Sequence, residues 1–559
     1  MAKRWIFPGE VPPDVATALR AFAPAEQAVL WRRGVRSRSA ADEFLQGDSA
    51  SHDPYAMLGM REAVERIRIA LGSGESIAVY GDYDADGLTA TALLVQYLER
   101  MAARVRPFIP NRYREGYGLT EDALRALAAD GVQLVITVDC GARSVQEAAV
   151  ARQIGLDLII TDHHAPGAEL PAAVALVDPK QPGDPYPFPE LSGAGLAHKL
   201  TQGMARALGG PDPEEHLDLV CIGTIADLVP LRGENRALAR AGLAHLRAAR
   251  RPGLKALMAV AGISPASATA ASVGYAIGPR LNAAGRLDSA EAAYQLLTAD
   301  SDAQAGELAQ VLDGLNRERR QRTAELVDLA RSMADGDRQG PLIFAAHAEF
   351  LEGVAGLVAA RLVEERFRPV IIAHRGALES RGSCRSIPGF HITHALDECA
   401  DLLVRYGGHA AAAGFTVGTA DLEQLEIRLQ AIAKRELASM ELAPAVEIDA
   451  MVERGELGWP LVEFCEALEP CGYGNESPLF GASGLPVLSA RAVGAGGKHL
   501  KLLLGSDRQA PPLDAIGFGL GELAAGLRGS VDIIFRLERN TYRDYESIQL
   551  NLVDLRPGA

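Results

Sequence analysis

Between residues 77 and about 178, short apolar runs alternate with longer stretches whose apolar residues recur at helical spacing. The runs are I-A-V-Y-G (77–81), R-V-R-P-F-I-P (104–110), L-V-I-T-V-D (134–139) and L-D-L-I-I-T-D (156–162), and the spacing predicts helices over 88–101, 120–129 and 144–153 between them. Strands apolar on both faces and joined through helices predict a doubly wound parallel sheet. Before it, Met60, Val64, Ile67 and Leu71 keep helical spacing, so residues 1–70 read as a helical cap forming a layer against the first strand. After it, residues 236–340 are Ala-, Leu- and Arg-rich and predict a helical connector interrupted by a glycine-bounded loop at 278–286. Residues 341–440 alternate strand and helix again, and from 441 short strands punctuated by Gly and Pro, such as H-L-K-L-L-L and S-I-Q-L-N-L-V-D-L, predict a β-barrel.

The chemistry lies where the apolar runs stop. Asp82, Asp84 and Asp86 occupy alternate positions just past the first strand. Carboxylates that close repel one another and raise each other's pKa unless a cation sits among them, and oxygen ligands suit Mg²⁺ or Mn²⁺. The plainer alternative is a solvated acidic turn in which Asp86 or Thr89 caps the next helix. Recurrence shifts the balance. Asp139 follows a second strand, Asp162-His163-His164 a third, and Asp227 closes another apolar run. Ligands of open parallel sheets gather beyond the carboxyl ends of the strands. Mixed carboxylate and imidazole donors favour Mn²⁺, then Mg²⁺, over zinc.

Length and composition set the frame. The 559 residues suffice for three or four domains, and 48% hydrophobic with 23% charged residues is ordinary globular composition. Six cysteines without C-x-x-C spacing argue against a zinc ribbon or a disulfide framework. Neither a signal peptide nor a transmembrane run is apparent, so a soluble cytoplasmic protein with no membrane partner is expected. A net charge of −16 weighs against a polyanionic substrate, yet Arg104, Arg106, Arg112 and Arg114 cluster, as do Arg317, Arg319, Arg320 and Arg322.

In chain order, G-D-Y-D-A-D-G, V-D-C-G, T-D-H-H and A-D-L-V-P resemble the four motifs of the DHH phosphoesterase superfamily, over about residues 77–230. I-P-N-R-Y-R-E-G-Y-G-L (109–119), G-P-R-L-N-A-A-G-R (278–286) and G-G-H-A-A-A-A-G-F (407–415) resemble its branch of single-strand-specific 5′→3′ DNA exonucleases. The last of these is similar to that branch's DHHA1 module, and L-E-P-C-G-Y-G-N (468–475) to the stretch leading into its oligonucleotide-binding (OB) barrel. The resemblance implies an N-terminal helical cap (1–70), a doubly wound α/β DHH domain (71–235) and the helical connector (236–340). A second α/β DHHA1 lobe (341–440) and a C-terminal OB-fold β-barrel (441–559) complete it.

The resemblance also implies two Mn²⁺ or Mg²⁺ ions, one held by Asp84, Asp139, His163 and Asp227, the other by Asp82 and a bridging Asp139. His164 would face the scissile phosphate, Asp162 would orient the histidines, and Asp86 joins these as a catalytic candidate. Two ions about 4 Å apart activate water for in-line attack on the phosphodiester. The pyrophosphatase members carry a histidine four residues before the first motif aspartate; here it is Ala78, which makes the Asp82 site the weaker one. Arg112, Tyr113, Arg114, Arg280, Asn282, Arg286, Gly408 and His409 would contact DNA, while Ser383 and Arg385 would form a stop for the 5′-terminal phosphate. Lys498, His499, Lys501, Arg539, Tyr542, Arg543 and Tyr545 are barrel contacts on one reading and an ordinary solvated face on another. The expected activity is degradation of single-stranded DNA to 5′-mononucleotides in recombination and repair. Single-strand DNA-binding protein and a helicase are the partners the family suggests, with the chain a monomer. The alternatives are a DHH phosphodiesterase of short oligonucleotides or cyclic dinucleotides, and an inactive DNA-binding scaffold.

Overall fold

The computed structural model describes residues 3–46, 51–112, 116, 118–287, 289–335, 340–505, 511–542 and 545–558. They fall into two compact units: one of residues 3–110, 117–278 and 445–559, the other of 111–116 and 279–444.

In the first unit a short strand β1 (Arg4–Ile6) precedes the predicted sheet of β2 (Ser76–Tyr80), β3 (Arg104–Phe108), β4 (Leu134–Val138), β5 (Asp157–Thr161) and β6 (Ala175–Val177). All pairings are parallel and the spatial order is β3-β2-β4-β5-β6. The chain winds outward from β2 to β3, then returns to β4 on the other side of β2. The switch point therefore lies between the carboxyl ends of β2 and β4, where such sheets open a crevice. Behind it the helix Ala85–Arg100 packs against the helices Gly193–Leu208 and Leu217–Ala226. Its sequence G-L-T-A-T-A-L-L-V has no polar face, and the helix is accordingly buried nearly all round. The apolar run before Asp227 is the helix Leu217–Ala226, not a strand.

The N-terminal segment departs from expectation. The helix Met60–Ser73 lies against the sheet edge at β6 and its covering helix, burying Met60, Val64 and Ile67. The helices Pro13–Ala18, Pro24–Arg32 and Arg38–Gln46 instead share one core with the C-terminal region. Leu19, Val29 and Leu30 join Leu461, Phe480, Leu500 and Phe535 there.

In the second unit the predicted loop at 278–286 is a helix, Gly278–Leu287. The helical run is unbroken from the π-helical turn Val273–Ile277, so Pro279 falls where the regular hydrogen-bond ladder is already interrupted, and Leu281, Ala283 and Ala284 are fully buried. The 33-residue helix Asp302–Ala334 leads into β7 (Ile343–His347), β8 (Val370–His374), β9 (Glu379–Arg385), β10 (Leu403–Gly408) and β11 (Ala412–Gly418). Their order is β10-β11-β9-β8-β7, with only β7 and β8 parallel.

The chain then re-enters the first unit. β12 (Ala445–Glu447) pairs in parallel with β1. β13 (Ala450–Met451) adds to an OB-type barrel of β14 (Phe480–Val493), β15 (His499–Leu504), β16 (Leu513–Gly517), β17 (Ser530–Tyr542) and β18 (Tyr545–Pro557). The five strands run β14-β15-β16-β18-β17, and β14–β17 pairing closes the ring.

Candidate metal centre

The loop after β2 makes an abrupt transition from strand to helix. Asp84 caps the helix Ala85–Arg100, its Oδ1 accepting from the amides of Asp86 (3.0 Å) and Gly87 (3.1 Å). Gly87 lies so close to the loop that a Cβ there would come within 2.6 Å of the Asp82 amide and Cβ. Asp86 points away from the loop, its two oxygens accepting from Gly193 N–H at 2.6 Å and Ala194 N–H at 2.9 Å. It thus sits at the amino end of the helix Gly193–Leu208, where the backbone favours negative charge.

Asp139, the residue after β4, adopts φ +64°, a left-handed conformation that costs a residue with a Cβ about 1 kcal/mol or more. Its amide is fixed on Thr161 O at 3.1 Å. After β5, Asp162 is nearly inaccessible and organises its surroundings: its Oδ2 accepts from Ala142 N–H (2.8 Å), binding the Asp139 loop. Its Oδ1 accepts from the amides of His163 (2.7 Å) and His164 (3.1 Å) and contacts His164 Nδ1 at 2.8 Å. Asp162 therefore holds the ring of His164, but His163 only through its backbone. Asp227 is the C-cap of the helix Leu217–Ala226.

These elements converge. His163 Nε2 lies 3.1 Å from Asp139 Oδ1, 3.5 Å from Asp227 Oδ2 and 3.9 Å from Asp86 Oδ2. Three groups of ligand atoms each lie within 4.8 Å: Asp82, Asp84 and Asp139; Asp86, His163 and Asp227; and Asp139, His163 and His164. Asp139 thus belongs to the Asp82 cluster and to a histidine cluster. Asp84, which the resemblance places with His163 and Asp227, lies in one group with Asp82 and Asp139 and caps the helix Ala85–Arg100, while Asp86 Oδ2 stands 3.9 Å from His163 Nε2.

Crowding sets the electrostatics. Burial, and then Asp86 and Asp84, push Asp139 well above the usual carboxylate range and Asp227 up to about 9. Burial and Asp84 raise Asp86 to about 7. Burial and the neighbouring His164 lower His163 to about 3, leaving it neutral. Burial also acts against the charged form of His164, but Asp162 outweighs it and raises that ring to about 9. Asp139 Oδ1 and His163 Nε2 are buried without a hydrogen-bond partner. Orphaned oxygen and imidazole nitrogen atoms among excess carboxylates fit a divalent cation.

Sequence reasoning missed the amino end of the helix Gly193–Leu208. A Cβ on Gly193 would fall 2.6 Å from Asp139 Cβ, and one on Gly223 would fall 2.3 Å from Asp86 Oδ1. The only sequence signal was the small-residue stretch S-G-A-G behind a serine cap, Ser192. Asp178, directly after β6, was also passed over. It is inaccessible, its Oδ2 has no partner, and burial raises it to about 7.

Tyr113 and Arg114 lie outside the described residues, unlike their neighbour Arg112. In the second unit Arg280 binds Asp313 at 2.9 Å, Arg286 donates to Gly353 O at 3.1 Å, and Asn282 is half-buried beside them on the same helix. Ser383 and Arg385 share one face of β9. A Cβ on Gly356 would lie 2.9 Å from an Arg385 guanidinium nitrogen and 3.6 Å from Ser383 Oγ. Gly408 and His409 form an exposed hairpin turn, with Gly408 at φ +151° and a Cβ there 2.4 Å from Ala412 O. On the barrel, Lys501 pairs with Asp514 at 2.7 Å, and Arg539 pairs with Glu466 and Glu546 and lies over Trp459. Lys498 and Tyr545 are exposed, His499 is half-buried, and Arg543 and the Tyr542 side chain lie outside the described residues.

The chain matches the DHH family, N-terminal domain, over residues 76–224 and the RecJ OB domain over 448–554. It is 40% identical over 543 residues to the single-stranded-DNA-specific exonuclease RecJ of Bacillus subtilis, covering 95% of this chain and 68% of that one. A crystal structure of RecJ from Thermus thermophilus in complex with Mn²⁺ superposes with a TM-score of 0.86 at 33% identity, covering 100% of this chain and 80% of that one. The Mg²⁺ complex from the same organism gives 0.80 at 32%, covering 100% and 79%.

Proposed function

The chain belongs to the RecJ family of single-stranded-DNA-specific exonucleases, and from that membership we propose how its own residues cut the strand. It is a metal-dependent hydrolase of single-stranded DNA that uses Mn²⁺ or Mg²⁺. The observation that carries the residue assignment is the pair of orphaned atoms, Asp139 Oδ1 and His163 Nε2, facing each other at 3.1 Å at the sheet's switch point.

Asp82, Asp84 and Asp139 would hold one ion, and His163, Asp227 and Asp86 would hold the other beside Asp139. Bound there, the ions would acidify water and neutralise phosphate charge. His164, kept cationic by Asp162, faces the non-bridging oxygens and offsets the charge that builds on them during in-line displacement. Asp162 also ties the Asp139 loop to the histidine loop, so the ligand-bearing turns after β4 and β5 move as one body. Asp86, anchored by two amides, sets the distance between the helix Gly193–Leu208 and the pocket. Water adds to phosphorus as the 3′-oxygen of the terminal nucleotide leaves, releasing a 5′-mononucleotide.

Digestion in the 5′→3′ direction rests on Ser383 and Arg385 as the stop for a terminal phosphate, with Arg112, Tyr113, Arg114, Arg280, Asn282, Arg286, Gly408 and His409 guiding the strand. A monomeric cytoplasmic enzyme and association with single-strand DNA-binding protein and a helicase belong to the same reading. No helix among the described residues is long and apolar enough to cross a membrane. The decisive experiment offers single- and double-stranded DNA, labelled at either end, with Mn²⁺. Mononucleotides should appear first from the 5′ side of the single strand, and release from the 3′ end would overturn the polarity.

A further inference from the structure

The helix that ends on Asp227 does so in an unusual way. The residue beyond a C-cap often turns left-handed, and glycine usually takes that place because a Cβ there is strained. Here it is Leu228, at φ +60°. An apolar residue at such a helix end commonly packs back onto the last turn. Leu228 does not: its amide reaches Ile225 O at 3.3 Å, yet the residue is 67% exposed. Backbone strain and a hydrated leucine both work against stability, which points to a functional reason for keeping them.

A second irregular turn packs against the same helix end. Val273–Ile277 is π-helical, a form concentrated at functional sites. A Cβ on Gly274 would lie 3.8 Å from Ile225 Cγ2, and one on Gly278 would lie 3.1 Å from Ala226 Cβ. From this turn Tyr275 projects into solvent, 88% exposed. Two irregular turns at the helix end that supplies Asp227 therefore each carry a large side chain exposed to water. Proteins that hold single strands without sequence preference stack bases on aromatic side chains, as exposed Tyr275 could, and an exposed leucine offers a base face apolar contact.

We propose that Leu228 and Tyr275 form a platform for the nucleobases flanking the scissile phosphate, so that the strand is positioned by its base faces as well as by its phosphates. Unstacked bases of a single strand can lie on it, whereas bases stacked within a duplex cannot turn to meet it. The proposal rests on the exonuclease activity at the Asp227 centre.

The test uses the full chain with Mn²⁺ and two single strands, one normal and one with abasic residues at its first positions. Leu228→Gly removes the side chain and suits the left-handed backbone; Tyr275→Ala is the second variant. Each should lower kcat/KM on the normal strand about tenfold. On the abasic strand, variants and wild type should run at the same rate. Leu228→Gly should melt no lower than wild type, and Mn²⁺ half-saturation should stay unchanged in both variants. Equal losses on the two strands, full activity on the normal strand, or a shifted Mn²⁺ requirement would each overturn the platform. Failure of the wild type on the normal strand would instead count against the exonuclease reading itself.

Discussion

Gly193→Ala adds one methyl group, and its consequence can be worked from distances. The new Cβ would stand 2.6 Å from Asp139 Cβ and 2.8 Å from Asp139 Cγ, where ordinary contact begins at 3.4 Å, so about 0.8 Å must be taken up. Gly193 does not carry a positive φ, so alanine meets no backbone penalty and the effect is purely steric. Neither side yields easily. Asp139 is pinned in a strained conformation on Thr161 O, and Gly193 is tied to Asp86 at 2.6 Å. Overpacking of this size costs about 1–3 kcal/mol of stability. A misplacement of about 1 Å at a reacting centre costs roughly 100-fold in rate. The assay is steady-state digestion of a labelled single strand across an Mn²⁺ series, with thermal melting alongside. The expected outcome is a rate about 100-fold lower, a higher Mn²⁺ half-saturation and a lower melting temperature. Gly195→Ala is the control, since the nearest atoms to its Cβ would be in the Leu191 and Ser192 side chains at 3.4 Å. Wild-type rate and metal dependence in Gly193→Ala would refute the argument.

Metal removal should make stability fall with rising pH. Asp227 keeps its proton in the folded, metal-free protein up to about 9 and Asp86 to about 7, whereas unfolded chains release theirs near 4. The folded state therefore binds more protons across that window, and its stability declines as pH rises through it. Melting temperatures of stripped protein should be lower at about pH 9 than at about pH 6, and Mn²⁺ should restore more at the higher pH; a flat profile would contradict this. Calorimetric titration of the DNA-free protein with Mn²⁺ should resolve two unequal affinities, the Asp82 cluster being the weaker, and two equal sites would rule that out. Arg385→Ala should cost more activity on 5′-phosphorylated than on 5′-hydroxyl strands, so a uniform loss would remove the terminal-phosphate role. Away from the site, Lys199 and Glu234 form a fully buried pair at 2.7 Å that also binds His52 O and Tyr186 Oη. Glu234→Gln should destabilise by about 3–5 kcal/mol, read from the denaturant midpoint, because it strands a buried ammonium; no change in midpoint would show the pair to be dispensable.

Periodicity revealed β2, β4 and β5 because a strand buried on both faces leaves an unbroken apolar run, and their carboxyl ends delivered the acidic residues to one crevice. What stayed hidden depends on rotation and on absent atoms. Asp82, Asp84 and Asp86 alternate in sequence, but the strand ends before them and a helix begins among them, so spacing could not tell which would cap the helix and which would face His163. Gly193 acts by having no side chain, which leaves no chemical mark. The predicted loop at 278–286 rests on its Gly and Pro, yet the π-helical turn before them lets the helical run continue through both. Apolar residues in 13–46 announce burial without naming their cover, here the barrel.

That shared core has a bearing on how the protein is made. Residues 13–46 leave the ribosome well before their apolar partners in residues 450–552, roughly 400 positions later. Contacts so distant in sequence close slowly, and until they do the early helices expose Leu19, Val29 and Leu30 to water. The unit that carries the metal centre is therefore completed only once residues 450–552 have been made, and a barrel-less fragment would display a sticky surface on residues 13–46 that the folded unit conceals.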